Sequence, residues 1–163
     1  MAKNKEEKTN VMRVLEQKKI AYTAHTYPHE EGVAVDGVTV AQSMGFDPAA
    51  VFKTLVARGT KGQFYVFVVP VAENLDLKKA AKAVGEKSIE MIHQKELLPL
   101  TGYVHGGCSP VGMKKLFPTV IDASAENLET MIVSAGKIGY QVELSPRDLA
   151  ALVRAKFADL IAE

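Results

Sequence analysis

One cysteine, Cys108, is all that the 163 residues contain. No internal disulfide can form, and no thiolate cluster can hold a metal. The charges nearly cancel, leaving a formal net charge of +1. That argues against a protein that grips nucleic acid by bulk electrostatics, because neutralising phosphates needs a clear basic excess. No apolar run approaches the length of a membrane span, and the opening MAKNKEEKTN has no apolar stretch to serve as a signal peptide. The expectation is a cytoplasmic protein, off the membrane and off DNA, working without a cofactor. Linkers, repeats and low-complexity tracts are missing too, so residues 1–163 are expected to form one domain, with residues 1–8 flexible.

What is present is ordinary globular material, 47% hydrophobic and 24% charged, enough for a sizeable core. The pattern predicts a helix from Thr9 to Lys19, capped by Thr9 or Asn10, then a strand from Ala21 to Tyr27 that Pro28 ends. A second helix is expected over Gly37 to Met44, with Asp36 as cap and Gly45 as stop. VFKTLVAR and FYVFVVP, joined by GTKGQ, read as a β-hairpin whose second arm is apolar throughout and so covered on both faces. Asp76 caps a helix carrying Leu77, Ala80, Ala81 and Val84, which Gly85 ends. Short strands are expected at Ser88–Met91, Tyr103–His105, Thr119–Asp122, Thr130–Ser134 and Gln141–Leu144. A last helix begins at Ser145 with Pro146 in its first turn, its apolar face running through Leu149, Leu152, Val153, Phe157 and Leu160 to Ile161. This order is no regular βαβ series. It predicts an α+β fold with a mixed, strongly curved sheet or barrel flanked by helices.

Lys53 stands out, a lone charge in Val51-Phe52-Lys53-Thr54-Leu55-Val56. On a strand it shares a face with Val51 and Leu55. Either its stem snorkels the ammonium to solvent, or the ammonium stands at a pocket wall and awaits an anionic or carbonyl-bearing ligand.

Other chemical constellations are weaker. The four histidines do not cluster, since His25 and His29 flank Pro28 and four extended residues separate them by roughly 13 Å. No metal site is expected. Gly106-Gly107-Cys108-Ser109-Pro110-Val111-Gly112 has the glycine spacing of a phosphate loop, but Met113 stands where that loop requires Lys. Its glycines either form a tight turn or bring backbone N–H groups to a ligand. Cys108 with His105 has no enforced geometry for a thiolate and base, and a lone Cys is usually a small buried hydrophobe. Ser134-Ala135-Gly136-Lys137-Ile138-Gly139 joins two expected strands, and its Ser and Lys either reach a ligand or shape the turn. Lys78, Lys79, Lys82 and Lys87, and separately Lys114, Lys115 and Lys137, are solvated faces or local RNA contacts.

Taken together, HTYPHE, VFKTLVA, LDLKKAAKAVG, TGYVHGGCSP and VSAGKIG resemble the YbaK family of aminoacyl-tRNA deacylases, which is similar to the editing domain of bacterial prolyl-tRNA synthetases. The resemblance runs from about Val11 to Ile161, and LDLKKAAKAVG and VSAGK look most like its Cys-tRNA(Pro) deacylases. It implies that Lys53 is the family's pocket lysine, that Gly106 and Gly107 are its glycine pair, and that Tyr27 and Ser134 line the same cavity. Phe52, Thr54, Ser109, Gly136 and Lys137, flanking these positions, are the further substrate-binding candidates. The chain departs from the pattern at Cys108, where an apolar residue such as Ile is common, and at Gln141, where Asp or another small polar residue is frequent.

The resemblance implies an enzyme that removes cysteine from mischarged Cys-tRNA(Pro) without a protein nucleophile. The substrate thiol attacks its own ester carbonyl and leaves as a thiolactone, with Lys53 and the Gly106 and Gly107 N–H groups as the catalytic elements. Its partners would be the 3′ end of the aminoacyl-tRNA and prolyl-tRNA synthetase. Two alternatives stand beside it: a water-dependent deacylase of another mischarged tRNA, such as Ala-tRNA(Pro), and a non-catalytic module that binds tRNA or a synthetase.

Overall fold

The computed structural model describes residues 8–30 and 32–162. Of the stretch 1–8 expected to be flexible, only Lys8 lies among them. Helix α1 (Asn10–Gln17) starts where the Thr9 hydroxyl accepts the Met12 N–H at 3.3 Å, and it buries Val11, Met12 and Leu15. Strand β1 (Thr23–Thr26) is shorter than expected. Helix α2 (Gly37–Met44) runs from the Asp36 cap to Gly45, which takes the left-handed conformation at φ 77°. The hairpin forms as β2 (Phe52–Gly59) and β3 (Phe64–Pro70), with Lys53 opposite Val69. Helix α3 (Leu77–Val84) is capped by Asp76, whose Oδ1 accepts the Lys78 and Lys79 N–H groups. Strand β4 (Ile89–Met91) follows.

Beyond this point one helix was not expected and two expectations fail. Helix α4 (Gln94–Thr101) carries Pro99 inside it, and proline ordinarily argues against a helix there. A capping box between His93 and Glu96, together with an ion pair from Glu96 to Arg58 on β2, secures it instead. The segment Tyr103–His105 is loop rather than strand, with the Tyr103 hydroxyl donating to the Val111 carbonyl. After β5 (Thr119–Asp122), β6 (Met131–Ser134) and β7 (Tyr140–Leu144), helix α5 (Pro146–Val153) stops where Arg154 turns left-handed at φ 58°. The expected continuation to Ile161 becomes β8 (Lys156–Ala158), parallel to β5. Leu160 still buries completely, because the Asp122 carboxylate accepts its N–H at 2.9 Å and holds the chain against the sheet.

The strands divide into a five-stranded mixed sheet, order β4-β2-β3-β5-β8, and a three-stranded antiparallel sheet, order β1-β7-β6. No closed barrel forms among the described residues. One parallel bridge, Val51 to Ile132, links the two sheets. One face of the larger sheet (Phe52, Val56, Val66, Val68, Ile121) packs with α1, α5 and the smaller sheet. The other (Ala57, Tyr65, Phe67, Val69) packs on Ala80 and Ala81 of α3. Strand β3 is therefore covered on both sides, and each large side chain it buries contributes about 1.5–3 kcal/mol. No helix among the described residues is long and apolar enough to cross a membrane.

Candidate active site

Strand β4 pairs with β2 only along Ala57–Gly59, and the smaller sheet is bridged at Val51, the residue before β2. Among the described residues no strand hydrogen-bonds to the edge of β2 from Phe52 to Leu55. A cavity of about 350 Å³ occupies this gap. Five consecutive residues, Val51 to Leu55, line it, so this stretch of the strand forms its wall. Asp36, Gly37 and Val40 close it from α2, Leu97 from α4, Ser134 and Gln141 from the smaller sheet, and Tyr27, His105, Gly106 and Cys108 from the loops.

Lys53 is the cation on this wall. It is half-buried, and burial holds its ammonium below the ordinary lysine value, with the negative charges of Asp36 and Glu73 opposing. Among the described residues no carboxylate lies within the 4.0 Å of an ion pair with it. Asp36 faces the same cavity, but its carboxylate accepts the Thr39 N–H at 3.2 Å and the Thr39 hydroxyl at 3.3 Å.

Two neutral groups on the same wall are also unpaired. Gln141 is 7% exposed, and its Oε1 has no hydrogen-bond partner; the buried Thr54 hydroxyl has none either. A buried acceptor left unpaired costs roughly 1–3 kcal/mol. Polar atoms of two strands in this state around an unpaired ammonium are the signature of a wall shaped for a polar occupant.

The glycine turn stands opposite. Gly106 has φ 91°, and a Cβ there would come within 2.6 Å of the Ala34 Cβ. At Gly107 a Cβ would lie 3.1 Å from the Ile138 nitrogen, so this turn packs directly on the backbone of the 136–139 turn. The Gly107 N–H donates to the Val104 carbonyl at 3.0 Å, which corrects the expectation that both glycine N–H groups face the ligand. The Gly106 N–H has no acceptor among the described residues.

Among the described residues no nucleophile is assembled with a base. Burial pushes the Cys108 thiol up to about 12, so it stays protonated at neutral pH. None of the hydrogen bonds made by a histidine among the described residues reaches a Ser, Thr or Cys side chain: His25 bonds Glu143, and His29 bonds the Tyr27 carbonyl. Ser134 Oγ accepts the Gly136 N–H at 3.0 Å, a turn contact. Described His, Cys, Asp and Glu residues form no group of three or more able to hold a metal.

The cavity thus gathers Lys53, Gly106, Tyr27, Phe52, Thr54 and Ser134 of the expected set. Four others lie off its wall. Gly107 backs the turn, Ser109 is fully buried with its hydroxyl accepting the Val111 N–H, Gly136 packs beside Tyr103 and Val11, and Lys137 is exposed with its ammonium over the Tyr140 ring. Sequence reasoning gave Asp36 a capping role alone and did not foresee Leu97. Only the short acidic cap ahead of α2 hinted at the first, and nothing at the second, since α4 was not expected.

Residues 32–152 match the family model described as the aminoacyl-tRNA editing domain. A protein of Enterococcus faecalis, EbsC, provisionally named a Cys-tRNA(Pro)/Cys-tRNA(Cys) deacylase, is 45% identical over 161 residues, 98% of each chain. A proline–tRNA ligase of Shouchella clausii is 28% identical over 100 residues, 61% of this chain and 17% of the ligase. A crystal structure provisionally described as a trans-editing enzyme for prolyl tRNA synthetase superposes with TM-score 0.79 at 28% identity, covering 94% of this chain and 95% of the other.

Proposed function

The chain belongs to the aminoacyl-tRNA editing domain family, and from that premise we propose that it is an aminoacyl-tRNA deacylase acting in trans to remove cysteine from mischarged Cys-tRNA(Pro). The observation that carries the reading is the pairing of an unpartnered, half-buried Lys53 with a cavity that holds no nucleophile and base. A site of this kind works by position and charge, and the reacting atom comes from the substrate.

In this scheme the ammonium of Lys53 anchors the α-carbonyl or the phosphate of the terminal adenosine. The substrate sulfur forms a bond to its own ester carbonyl carbon, the bond from that carbon to the ribose oxygen breaks, and the thiol proton passes to the departing ribose oxygen. The products are a cysteine thiolactone and free tRNA. The Gly106 N–H steadies the developing oxyanion, a contribution on the order of 10²–10³ in rate for one such donor. Alanyl and prolyl esters have no thiol and cannot cyclise, so discrimination is chemical rather than steric. The net charge of +1 gives little general hold on tRNA. A synthetase partner, prolyl-tRNA synthetase by the relation to its own segment, would then supply tRNA selection.

Parallel assays on Cys-tRNA(Pro), Ala-tRNA(Pro) and Pro-tRNA(Pro), with mass detection of the released amino acid, test the scheme. Cysteinyl release as thiolactone, with the other two esters stable, is expected. Faster alanyl release would make the protein a water-dependent deacylase, and an acyl adduct on Cys108 would overturn cyclisation.

A further inference from the structure

Immediately outside the cavity an aromatic row leads away from its wall. Tyr27, 4% exposed, lines the cavity. The His29 ring meets it edge to face at 6.0 Å between centroids, and Tyr140 meets His29 at 6.1 Å. The Lys137 ammonium stands 5.4 Å from the Tyr140 centroid. Tyr27 is buried, Tyr140 partly open, and His29 and Lys137 exposed, so the row runs from the interior to the surface.

The backbone holds this row in place. The Tyr27 N–H donates to the Gly139 carbonyl at 3.0 Å, and His29 Nδ1 lies 3.0 Å from the Tyr27 carbonyl. Gly139 has φ 98°, and the space a Cβ would need there is occupied by the His29 ring. The same turn, at Lys137 and Ile138, packs against Gly107, so the row is fixed relative to the glycine turn of the cavity.

We propose that His29, Tyr140 and Lys137 form a nucleobase subsite. It takes the first unpaired base beyond the nucleotide whose ribose carries the ester, stacked on Tyr140 with its edge toward His29, and with Lys137 beside its phosphate. The proposal rests on the reading of the cavity as the aminoacyl-ester site. Single-stranded RNA ends are held by aromatic faces combined with a local cation, and every base offers a face whatever the sequence. A chain with almost no net charge needs contacts of this local kind. The exposed His29 ring is held by a hydrogen bond to the Tyr27 carbonyl, so it loses less freedom when a base packs against it.

The test is direct binding, by fluorescence anisotropy at fixed salt, of the full chain to an uncharged RNA hairpin with an unpaired CCA 3′ end. A second hairpin is abasic at the penultimate position. Tyr140→Ala is expected to weaken binding about ten-fold, within the range of one lost base stack. The abasic change should weaken the wild-type protein similarly and the variant hardly at all. Equal cost of the abasic change in both proteins overturns the subsite, as does undiminished binding by Tyr140→Ala. Tyr140→Phe, which keeps the ring, should bind as the wild type does, and circular dichroism melting confirms the fold of each variant. Deacylation by the wild type and its loss in Lys53→Ala are measured separately, so failure of the subsite is distinguishable from failure of the proposed activity.

Discussion

Lys53 and Asp36 face one cavity from β2 and from the cap of α2, yet they do not pair. The Asp36 carboxylate is held by the Thr39 N–H and hydroxyl at 3.2 and 3.3 Å, and it acts on Lys53 only through its field. A lysine whose charge is favoured by distant carboxylates, and disfavoured more strongly by burial, keeps its donors for a ligand. The sequence pattern for a cap and that for a strand thus combine into a site that neither encodes alone.

Lys53→Met should separate function from stability. Deacylation should fall by a factor on the order of 10²–10³, the usual cost of removing one preorganised electrostatic contact. The melting temperature at neutral pH should stay level or rise, because an incompletely compensated ammonium leaves a cavity wall. The pH dependence has a definite sign. Unfolded Lys53 keeps its proton to about 10.5, whereas the folded residue releases it earlier. Between those values the unfolded chain holds more protons, so wild-type stability rises with pH there, and its deficit against the variant narrows. Thermal melts from pH 7 to 10 check this, and a gap that widens instead contradicts it.

Thr54→Val and Gln141→Met remove the two orphaned polar atoms while nearly keeping shape. Each should stabilise the free protein by about 1 kcal/mol, since no hydrogen bond is lost and an unpaired buried group is removed. Each should also raise KM for the aminoacyl-tRNA. Chemical denaturation and steady-state kinetics on the same preparations decide the matter. Destabilisation by Thr54→Val would mean that its hydroxyl has a partner in the folded chain.

Much of this was legible from residue pattern. Asp36, Gly45, Asp76 and Gly85 mark helix ends by side-chain chemistry that acts within four residues, and the structure places them so. Lys53 was legible because one charge in an apolar strand is conspicuous. The failures share a cause at longer range. Arg58 secures a proline-bearing helix by pairing with Glu96, thirty-eight residues away, and from the same distance Asp122 fixes Leu160 in the extended chain just after β8. The periodicity of Phe157 and Leu160 fits a helix equally well, and only the open edge of β5 selects the strand. Leu97 escaped for the same reason: what makes it a wall residue is a cavity between elements distant in sequence.

Glu143 gives a prediction in acid. Its carboxylate accepts from the Thr130 hydroxyl and lies 2.8 Å from His25 Nε2, and these contacts hold it below the ordinary glutamate value of 4.5. The stability this contributes is complete above about pH 4.5 and is lost as pH falls through the folded value. Glu143→Gln should therefore be less stable than the wild type at pH 7, with the difference shrinking below about pH 4.5. Urea midpoints at pH 7, 5 and 3.5 measure it. A constant difference across that range would show that the carboxylate does not titrate in this contact.

Gly106→Ala tests the turn itself. At φ 91° a residue with a Cβ is strained by about 1–2 kcal/mol, and the added carbon would sit 2.6 Å from the Ala34 Cβ, part of the loop that leads into Asp36 and α2. Either the turn or that loop must give way, and both border the cavity beside Lys53. The variant should lose at least 1 kcal/mol of stability in urea, and kcat should fall more than KM rises, since misplacing the proposed oxyanion donor would act on the transition state rather than on ground-state binding. Ala34→Gly supplies the control. Combined with Gly106→Ala it relieves the steric contact and leaves the dihedral strain, so it should restore part of the stability and part of kcat. If the double variant is no better than Gly106→Ala alone, the contact with Ala34 is not what excludes a side chain at this turn.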